Sequence, residues 1–326
     1  MTTRNFEGRV AVVTGAGVGL GRAYALELAR RGCRVVVNDI GGSGAGVGSS
    51  RSPADAVVAE IAAAQGSAVA SYDTVATRAG GRAIVDAALD TFGRLDIVIS
   101  NAGFLRNARF EDMTDDEFDA IIDVHLKGAF YVGQPAFAVM KRQGYGRFLF
   151  TASSSGMFGH PWQVNYGSAK AGLFGLSNVI ALEGKDHGVL SNAIMPIART
   201  RLGDEIDWAW KNDASEVGAI VDELGVASSA SRPWFGPEWV APLAIRLVSE
   251  DSTVTQGIFS AVNGRYARVF VGAAEGWKTR DLPSAEDLAA HWGEICDVSR
   301  FDEPKSVYEE VLMVEKAFNR DEPVSV

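Results

Sequence analysis

Short apolar runs alternate with longer amphipathic segments through most of the chain. Each run is five to seven residues long and rich in Val, Ile, Ala and Phe, which is typical of strands buried on both faces. The segments between the runs repeat apolar residues every three or four positions, which predicts helices that pack on a sheet. The predicted strands are residues 9–13, 34–38, 67–71, 95–100, 146–150, 189–195 and 257–262.

The order of strands and helices predicts the fold class. Thr114 and Glu117 form a capping box at the start of the longest predicted helix. Because parallel strands need helical crossovers, we expect an α/β fold with a doubly wound, Rossmann-like parallel sheet. No hairpin is predicted, and residues 257–262 are expected to be the last strand. The predicted helices are residues 22–31, 54–65, 78–92, 114–143, 166–185 and 238–249.

The amino-acid composition limits which binding partners and which cellular location are expected for the protein. The net charge is −10 and Lys and Arg are not clustered, so we expect neither nucleic acid nor an anionic membrane as a partner. The sequence shows no hydrophobic signal region and no apolar run of membrane-spanning length, so a cytoplasmic protein is expected. Cys33 and Cys296 lack metal-binding spacing and the four His residues are scattered. We therefore expect no metal site and two buried, reduced thiols.

A glycine-rich turn follows the first strand. Residues 14–21 read Thr-Gly-Ala-Gly-Val-Gly-Leu-Gly and lead into the first helix. Glycines allow close approach to the backbone, and a helix N-terminus offers unpaired N–H groups to an anion. A turn without function is the alternative, but strand, turn and helix together predict a site for a dinucleotide pyrophosphate. Its candidate residues are Gly15, Gly17, Val18, Gly19, Leu20 and Gly21.

The second strand ends at an acidic residue that bears on the choice of cofactor. Asp39 follows the glycine turn by about twenty residues, where a carboxylate accepts hydrogen bonds from the adenosine ribose. The same carboxylate would repel a 2′-phosphate. Ala16 leaves the turn without a basic residue that could bind such a phosphate. The sequence therefore predicts NAD rather than NADP.

Polar or small residues follow the other strands as well. Asp73 and Thr74 come after the third strand, where Asp73 either hydrogen-bonds the adenine or only turns the chain. The glycine-rich residues 40–53 are interpreted as a surface loop, with a position beside the adenosine as the alternative. Ligands of such sheets bind beyond the carboxyl ends of the strands. The other cofactor-binding candidates at strand ends are Asn101, Ala102, Gly103, Pro196, Ile197 and Thr200.

A serine cluster and a Tyr/Lys pair carry the candidate chemistry. Ser153 follows the fifth strand, and Tyr166 and Lys170 lie four residues apart, which places them on one face of a helix. A Lys ammonium beside a phenol favours the phenolate and so lowers the pKa of the Tyr, whose usual value is about 10. A pair on an ordinary helix surface is the alternative. The other strand-end residues favour the catalytic interpretation.

Together these motifs resemble the short-chain dehydrogenase/reductase family over residues 5–265. The resemblance rests on residues 14–21, Asp73, residues 101–103, Ser153, Tyr166 with Lys170, and residues 196–200. Residues 36–42, 123–128 and 292–297 also resemble the (3R)-hydroxyacyl-CoA dehydrogenase unit of peroxisomal multifunctional enzymes of type 2 and its bacterial single-domain relatives. The resemblance implies NAD-dependent interconversion of a secondary alcohol and a ketone. A 3-hydroxyacyl-CoA and its 3-oxoacyl-CoA are the expected pair.

The resemblance also implies roles for individual residues. Tyr166 would be the acid/base, and Ser153 would bind the carbonyl oxygen unless Ser154 or Ser155 does so. Lys170 would hold the nicotinamide ribose and lower the pKa of the phenol, while Thr200 and the Ile197 backbone would bind the carboxamide. His125 stands where the family usually has Asn at a water-linked proton relay. A catalytic relay role and a buried structural role both remain open for His125.

The substrate-binding residues are predicted from less specific sequence signals. Residues 201–236 are interpreted as a lid insertion in a single domain, with Trp208 and Trp210 facing a bulky apolar acyl group or packing on the core or a partner subunit instead. Residues 266–326 form a C-terminal extension that covers the substrate, contacts a second subunit or is partly disordered. The substrate-binding candidates are Ser155, His160, Trp162, Trp208 and Trp210, and the candidates for CoA phosphates are Arg106, Arg109, Arg201 and Lys278.

Two other functions stay open at this point. The first is a carbonyl reductase, or a hydroxysteroid or secondary-alcohol dehydrogenase, that acts without CoA. The second is a non-catalytic NAD-binding regulator, which the presence of Ser153, Tyr166 and Lys170 disfavours. The family resemblance also implies a homodimer or homotetramer, for which close packing through residues 169–182 is one interpretation and an ordinary core face the other.

Overall fold

A computed structural model describes residues 6–200 and 235–319. Contacts divide the chain into two compact units, Met1–Arg268 and Val269–Val326. The first unit contains an eight-stranded sheet in the order β3-β2-β1-β4-β5-β6-β7-β8. Its strands are β1 (Val10–Thr14), β2 (Arg34–Asn38), β3 (Ser67–Ser71), β4 (Ile97–Ser100), β5 (Gly146–Thr151), β6 (Val189–Ile197), β7 (Ile258–Val262) and β8 (Arg265–Val269).

The first seven strands pair in parallel, which confirms the doubly wound α/β prediction. The chain starts at β1 and builds outward through β2 and β3, then returns to add β4 on the other side of β1. The strand order therefore reverses between β1 and β4, where the carboxyl ends of strands open a crevice for ligands. All residues of β1 and β5 are buried, as expected for strands covered on both faces.

Helices follow the strands as predicted. The predicted helix 114–143 is continuous, but one turn of it, Asp123–Lys127, is a π-helix. Thr114 and Glu117 form the predicted capping box at its start. The helices are α1 (Gly19–Arg30), α2 (Ser52–Ala63), α3 (Arg78–Phe92), α4 (Asp115–Ile122), α5 (Gly128–Gln143), α6 (Ser154–Phe158), α7 (Val164–Gly184) and α8 (Ala241–Val248).

The sheet has one strand, β8, beyond the last strand that the sequence pattern predicted. Asn263 and Gly264 connect β7 to β8, and both have positive φ angles, 51° and 75°. Two consecutive positive φ angles in a two-residue connection are typical of a β-hairpin turn, and Asn-Gly is its preferred sequence. The prediction that residues 257–262 are the last strand and that no hairpin occurs was therefore wrong.

The second unit consists of short elements. Its helices include Ala285–Ala290, Trp292–Ile295 and Val307–Asn319. Ala273–Ala274 and Phe301–Asp302 pair antiparallel.

The two cysteines differ in their surroundings. Cys33 is buried in the sheet unit, whereas Cys296 is exposed, so the prediction of two buried thiols was wrong for Cys296. A thiol in a short helical unit lacks the covering layers that bury Cys33. Within the described parts of the chain, no helix has both the length and the apolar character needed to cross a membrane.

Candidate active site

A cavity of about 620 Å³ opens at the carboxyl ends of the strands in the first unit. Most of the predicted site residues line it, so the strand ends converge as expected. The predicted residues in its wall are Gly15, Val18, Gly19, Leu20, Asp39, Asp73, Thr74, Asn101, Ala102, Gly103, His125, Tyr166, Lys170, Pro196, Ile197 and Thr200.

Other candidates lie elsewhere. His160 is exposed and Trp162 is half-buried with a positive φ of 65°, and neither lines this cavity. Trp208 and Trp210 lie outside the described residues, so the lid stays a prediction. Gly17, Gly21, Ser153 and Ser155 are described but are not in the wall of the cavity. Of the candidates for CoA phosphates, Arg106 lines the cavity, Arg109 does not, Lys278 belongs to the second unit and Arg201 lies outside the described residues.

The glycine turn fits a dinucleotide because it leaves the backbone bare. Gly15 has a positive φ of 63°, and a Cβ atom there would lie 2.8 Å from the Ala102 Cα atom. A Cβ atom on Gly21 would lie 2.1 Å from the Gly15 carbonyl oxygen. Only glycine lets this turn pack on residues 101–103 and lead into α1, whose N-terminus then faces the cavity. The cradle therefore fits a pyrophosphate.

Asp39 is anchored between the glycine turn and the following loop. Its Oδ2 atom accepts a hydrogen bond from the Gly17 N–H at 2.8 Å, and its Oδ1 atom accepts one from the Gly41 N–H at 2.6 Å. A carboxylate has further lone pairs for a ligand hydroxyl. Its position beside the turn fits the ribose-binding role that the sequence predicted.

Two polar residues that the sequence analysis left without a role organise these strand ends. Thr14 Oγ1 accepts hydrogen bonds from the backbone N–H groups of Asn101 at 2.9 Å and Ala102 at 3.0 Å. Asn38, which is buried, donates to Ser71 Oγ at 3.1 Å and to the Asp73 carbonyl oxygen at 2.9 Å. Both residues directly follow an apolar run at the end of their strand, and this was the signal that could have identified them.

Tyr166 and Lys170 line the cavity, and Ser153 lies next to Tyr166 without lining the cavity itself. The Ser153 side chain hydrogen-bonds Tyr166 and also accepts the Ser155 N–H at 3.1 Å. Lys170 Nζ lies 5.4 Å from the centroid of the Tyr166 ring and donates to the Thr151 carbonyl oxygen at 2.5 Å. Ser155 Oγ is directed to Gln163 instead, at 2.9 Å from its Oε1 atom. Among the three serines, the geometry favours Ser153 as the partner of Tyr166.

Burial controls the ionisation of the Tyr/Lys pair. Burial raises the pKa of Tyr166, and the hydrogen bond from Ser153 opposes that increase. Burial also lowers the pKa of Lys170 to about 7. In the cofactor-free protein the enclosure of the pair therefore acts against the low phenol pKa that the Tyr/Lys spacing suggested.

The lowered pKa of Lys170 predicts a pH-dependent stability. Between about pH 7 and the usual Lys value of about 10.4, the unfolded chain holds a proton that the folded chain lacks. The free energy of unfolding should therefore rise with pH, by up to about 1.4 kcal/mol per unit from this residue. Denaturant unfolding of the cofactor-free protein at pH 7 and pH 9 should show this rise, and Lys170→Met should reduce it. An identical pH dependence in both proteins would contradict the assignment.

His125 lies in the π-helical turn and is buried beside Tyr166. Its ring meets the Tyr166 ring edge to face at 5.2 Å between centroids. Its Nε2 atom is 2.8 Å from the Phe104 carbonyl oxygen and 3.1 Å from the Phe104 nitrogen. Burial, and then the charge of Lys170, lower the pKa of His125, so the neutral ring is favoured. In the structure His125 is therefore both a buried residue and part of the cavity wall.

The effect on stability of a side chain at position 103 is expected to depend on His125. A Cβ atom on Gly103 would lie 2.1 Å from His125 Cε1, a distance that no side chain tolerates. Gly103→Ala should lower the free energy of unfolding by about 1–3 kcal/mol because it overpacks this contact. The double variant Gly103→Ala/His125→Ala should lose less than the two single variants added together. Urea unfolding of all four proteins tests this, and strict additivity would contradict the contact.

The loop after β2 also contributes to the cavity, which the surface-loop interpretation did not anticipate. Residues 42–44 and Gly46 line the cavity. The Gly44 carbonyl oxygen accepts the Leu105 N–H at 3.2 Å, and Arg106 Nε donates to the Ala45 carbonyl oxygen at 3.3 Å. Most residues of this loop are exposed, as expected of a surface loop, and contacts with the loop after β4 join residues 44 and 45 to residues 105 and 106.

Residues 9–206 match the family described as short chain dehydrogenase. The chain belongs to this family. The short-chain dehydrogenase match covers the glycine turn, the strand-end residues and the Ser153, Tyr166 and Lys170 cluster. The chain is therefore an oxidoreductase that acts on CH–OH groups of small molecules with a nicotinamide dinucleotide, NAD or NADP.

Individual proteins show which members of the short-chain dehydrogenase family the chain is similar to. The chain is 41% identical over 310 residues to peroxisomal multifunctional enzyme type 2 of Mus musculus, covering 93% of this chain but 39% of that protein. It is 40% identical over 215 residues to a hydroxyacyl-CoA dehydrogenase of Mycobacterium tuberculosis, covering 63% of this chain and 65% of that protein. The crystal structure of a short chain dehydrogenase from Mycobacterium avium superimposes with a TM-score of 0.73 at 36% identity, covering 90% and 97% of the two chains.

Proposed function

We propose that this short-chain dehydrogenase interconverts 3-hydroxyacyl-CoA and 3-oxoacyl-CoA thioesters with NAD. The observation that carries the proposal is that Tyr166, hydrogen-bonded by Ser153, lines one cavity together with the glycine turn and Asp39. A relative named hydroxyacyl-CoA dehydrogenase, 40% identical to this chain, supports the acyl-CoA class of substrate.

The proton in this reaction is assigned to Tyr166. During oxidation the Tyr166 phenolate takes the proton of the C3 hydroxyl group, and during reduction the phenol returns it. The Ser153 hydroxyl group donates a hydrogen bond to the substrate oxygen, where negative charge develops. NAD⁺ supplies the acceptor for the hydride that leaves C3. Lys170 lies close enough to favour the phenolate when it is protonated.

The cofactor residues are assigned along the cavity. The backbone of the glycine turn binds the pyrophosphate, and Asp39 accepts hydrogen bonds from the adenosine ribose. Asp73 and Thr74 flank the adenine, while Ile197 and Thr200 bind the carboxamide at the other end. NAD is proposed over NADP because the Asp39 carboxylate would repel a 2′-phosphate.

The substrate class is tested by comparing a thioester with its truncated analogue. With NAD⁺, a 3-hydroxyacyl-CoA should be oxidised with a kcat/KM well above that of the matched free secondary alcohol that lacks CoA. Parallel assays with NADP⁺ should give lower values. Oxidation of the free alcohol but not of the thioester would contradict the proposal and favour a dehydrogenase that acts without CoA.

We also propose that the protein is a homodimer or homotetramer. One side of α7 is buried in its own subunit, whereas Val179 and Leu182 on the same helix are exposed to 53% and 44%. Apolar side chains on an exposed helix face are typical of subunit contacts. Light scattering after size-exclusion chromatography should give at least twice the mass of one chain, and a monomer at micromolar concentration would contradict this.

A further inference from the structure

Arg106 has an unusual position on the cavity. Among the described residues that line the cavity, Arg106 and Lys170 are the cationic side chains. Lys170 donates to the Thr151 carbonyl oxygen beside Tyr166. Arg106 therefore supplies the second positive charge of the wall, in a chain with a net charge of −10.

The backbone of Arg106 is tied to the start of α7. Its carbonyl oxygen accepts a hydrogen bond from Asn165 Nδ2 at 2.9 Å, and Asn165 is fully buried. The Asn165 Oδ1 atom accepts the Tyr166 N–H at 2.7 Å. One side chain thus ties the backbone of Arg106 to that of the proposed acid/base Tyr166.

The side chain of Arg106 is held in place as well. Its Nε atom donates to the Ala45 carbonyl oxygen at 3.3 Å, and its Cζ atom lies 5.3 Å from the centroid of the Phe104 ring. No described residue hydrogen-bonds its two terminal nitrogens. Hydrogen bonds from the backbone and the hydroxyl group of Thr114 lower the pKa of Glu117, and the charge of Arg106 adds to this decrease. The Glu117 carboxylate is therefore already bound to Thr114. Within residues 6–200 and 235–319 the guanidinium group is therefore held through its Nε atom alone, and its two terminal nitrogens can bind a ligand.

We propose that Arg106 binds a phosphate group of the CoA part of the substrate. This inference rests on the proposed function and adds a residue that recognises the part of the thioester remote from C3. Phosphate is favoured because a fixed guanidinium fork matches its oxygens. The phosphates of the dinucleotide are assigned to the glycine turn, so the terminal nitrogens of Arg106 are assigned to the other phosphorylated ligand. A local cation is also needed, because the acidic surface would otherwise repel CoA.

The test compares thioesters with and without phosphates. Arg106→Ala should lower kcat/KM for a 3-hydroxyacyl-CoA by about 10- to 100-fold, through KM rather than kcat. The same variant should leave unchanged the kcat/KM for the N-acetylcysteamine thioester of the same acyl group, which has no phosphate. The dephospho-CoA thioester then shows which phosphate is bound. If it suffers the full loss, the diphosphate is bound, and if it suffers none, the 3′-phosphate is bound. Both results support the proposal.

Controls separate a binding role from a structural one. Arg82→Ala removes an exposed Arg that hydrogen-bonds Asp86 at 2.9 Å and does not line the cavity, and it should behave like the wild type with both thioesters. Equal losses with the CoA and N-acetylcysteamine thioesters, or a loss confined to the KM for NAD⁺, would overturn the proposal. A wild-type enzyme that oxidises only the free alcohol would instead overturn the proposed function.

Discussion

Replacing Tyr166 with Phe is expected to lower kcat by about 10²- to 10⁴-fold while binding of NADH is retained. The substitution removes only the hydroxyl group that is proposed to carry the proton. The ring stays in contact with His125, at 5.2 Å between centroids, so the cavity wall keeps its shape. Steady-state assays with a 3-hydroxyacyl-CoA and NAD⁺ give kcat, and quenching of NADH fluorescence gives the affinity.

A matched control for this variant is Tyr266→Phe. The Tyr266 hydroxyl group donates to the Trp239 carbonyl oxygen, and Tyr266 does not line the cavity. That variant should retain wild-type turnover. A Tyr166→Phe enzyme that binds NADH and keeps more than about a tenth of wild-type turnover would rule out Tyr166 as the acid/base.

Replacing Asp39 with Ser should shift the cofactor preference by about 100-fold towards NADP⁺, measured as the ratio of kcat/KM for NADP⁺ to that for NAD⁺. The carboxylate contributes charged hydrogen bonds to the ribose worth about 1.5–3 kcal/mol, and about 1.4 kcal/mol changes an equilibrium tenfold. Its removal also ends the repulsion of a 2′-phosphate. Ser keeps one acceptor for the Gly17 N–H that Asp39 now binds at 2.8 Å.

Asp73→Asn provides the control for the cofactor preference. Asp73 lines the same cavity at the end of the neighbouring strand, and its Oδ2 atom accepts a hydrogen bond from Ser71 Oγ at 3.2 Å. Because Asp73 is assigned to the adenine, its neutralisation should leave the NADP⁺ to NAD⁺ ratio within a fewfold of the wild type. A larger shift from Asp73→Asn than from Asp39→Ser would contradict the assignment of Asp39 to the ribose.

The sequence pattern predicted the sheet and most of the cavity wall for one physical reason. Parallel strands with helical crossovers bring all carboxyl ends to one edge, so residues such as Asp39, Asn101 and Tyr166 meet although they are far apart in the chain. Hydrophobic periodicity is sufficient to locate such strands. It does not require knowledge of any individual contact.

The contacts that the sequence did not reveal depend on backbone geometry between distant segments. The loop after β2 joins residues 105 and 106 through carbonyl oxygens, which no side-chain pattern encodes. The close approach of Gly103 to His125 involves a residue of the π-helical turn, and the hydrophobic pattern of the sequence does not distinguish this turn from ordinary helix. The hairpin at Asn263 and Gly264 was missed, although Asn-Gly is the preferred sequence of a two-residue hairpin turn.

The pKa values of Tyr166 and Lys170 also could not be predicted from the spacing of the two residues in the sequence. An i, i+4 pair correctly placed Lys170 near Tyr166. The pKa values depend on enclosure as well, and burial shifts them upwards for Tyr166 and downwards for Lys170. Enclosure is a property of the folded cavity, because it requires the 40–53 loop and the ends of several strands together.

The most direct test of the proposed reaction follows the hydrogen at C3. A 3-hydroxyacyl-CoA that carries deuterium at C3 should transfer it to NAD⁺, so the NADH formed contains the deuterium, and Tyr166→Phe should slow this transfer by about 10²-fold or more. Mass spectrometry of the nicotinamide product measures both effects. NAD⁺ that stays oxidised with the thioester, while the matched free alcohol is oxidised, would contradict the proposed function.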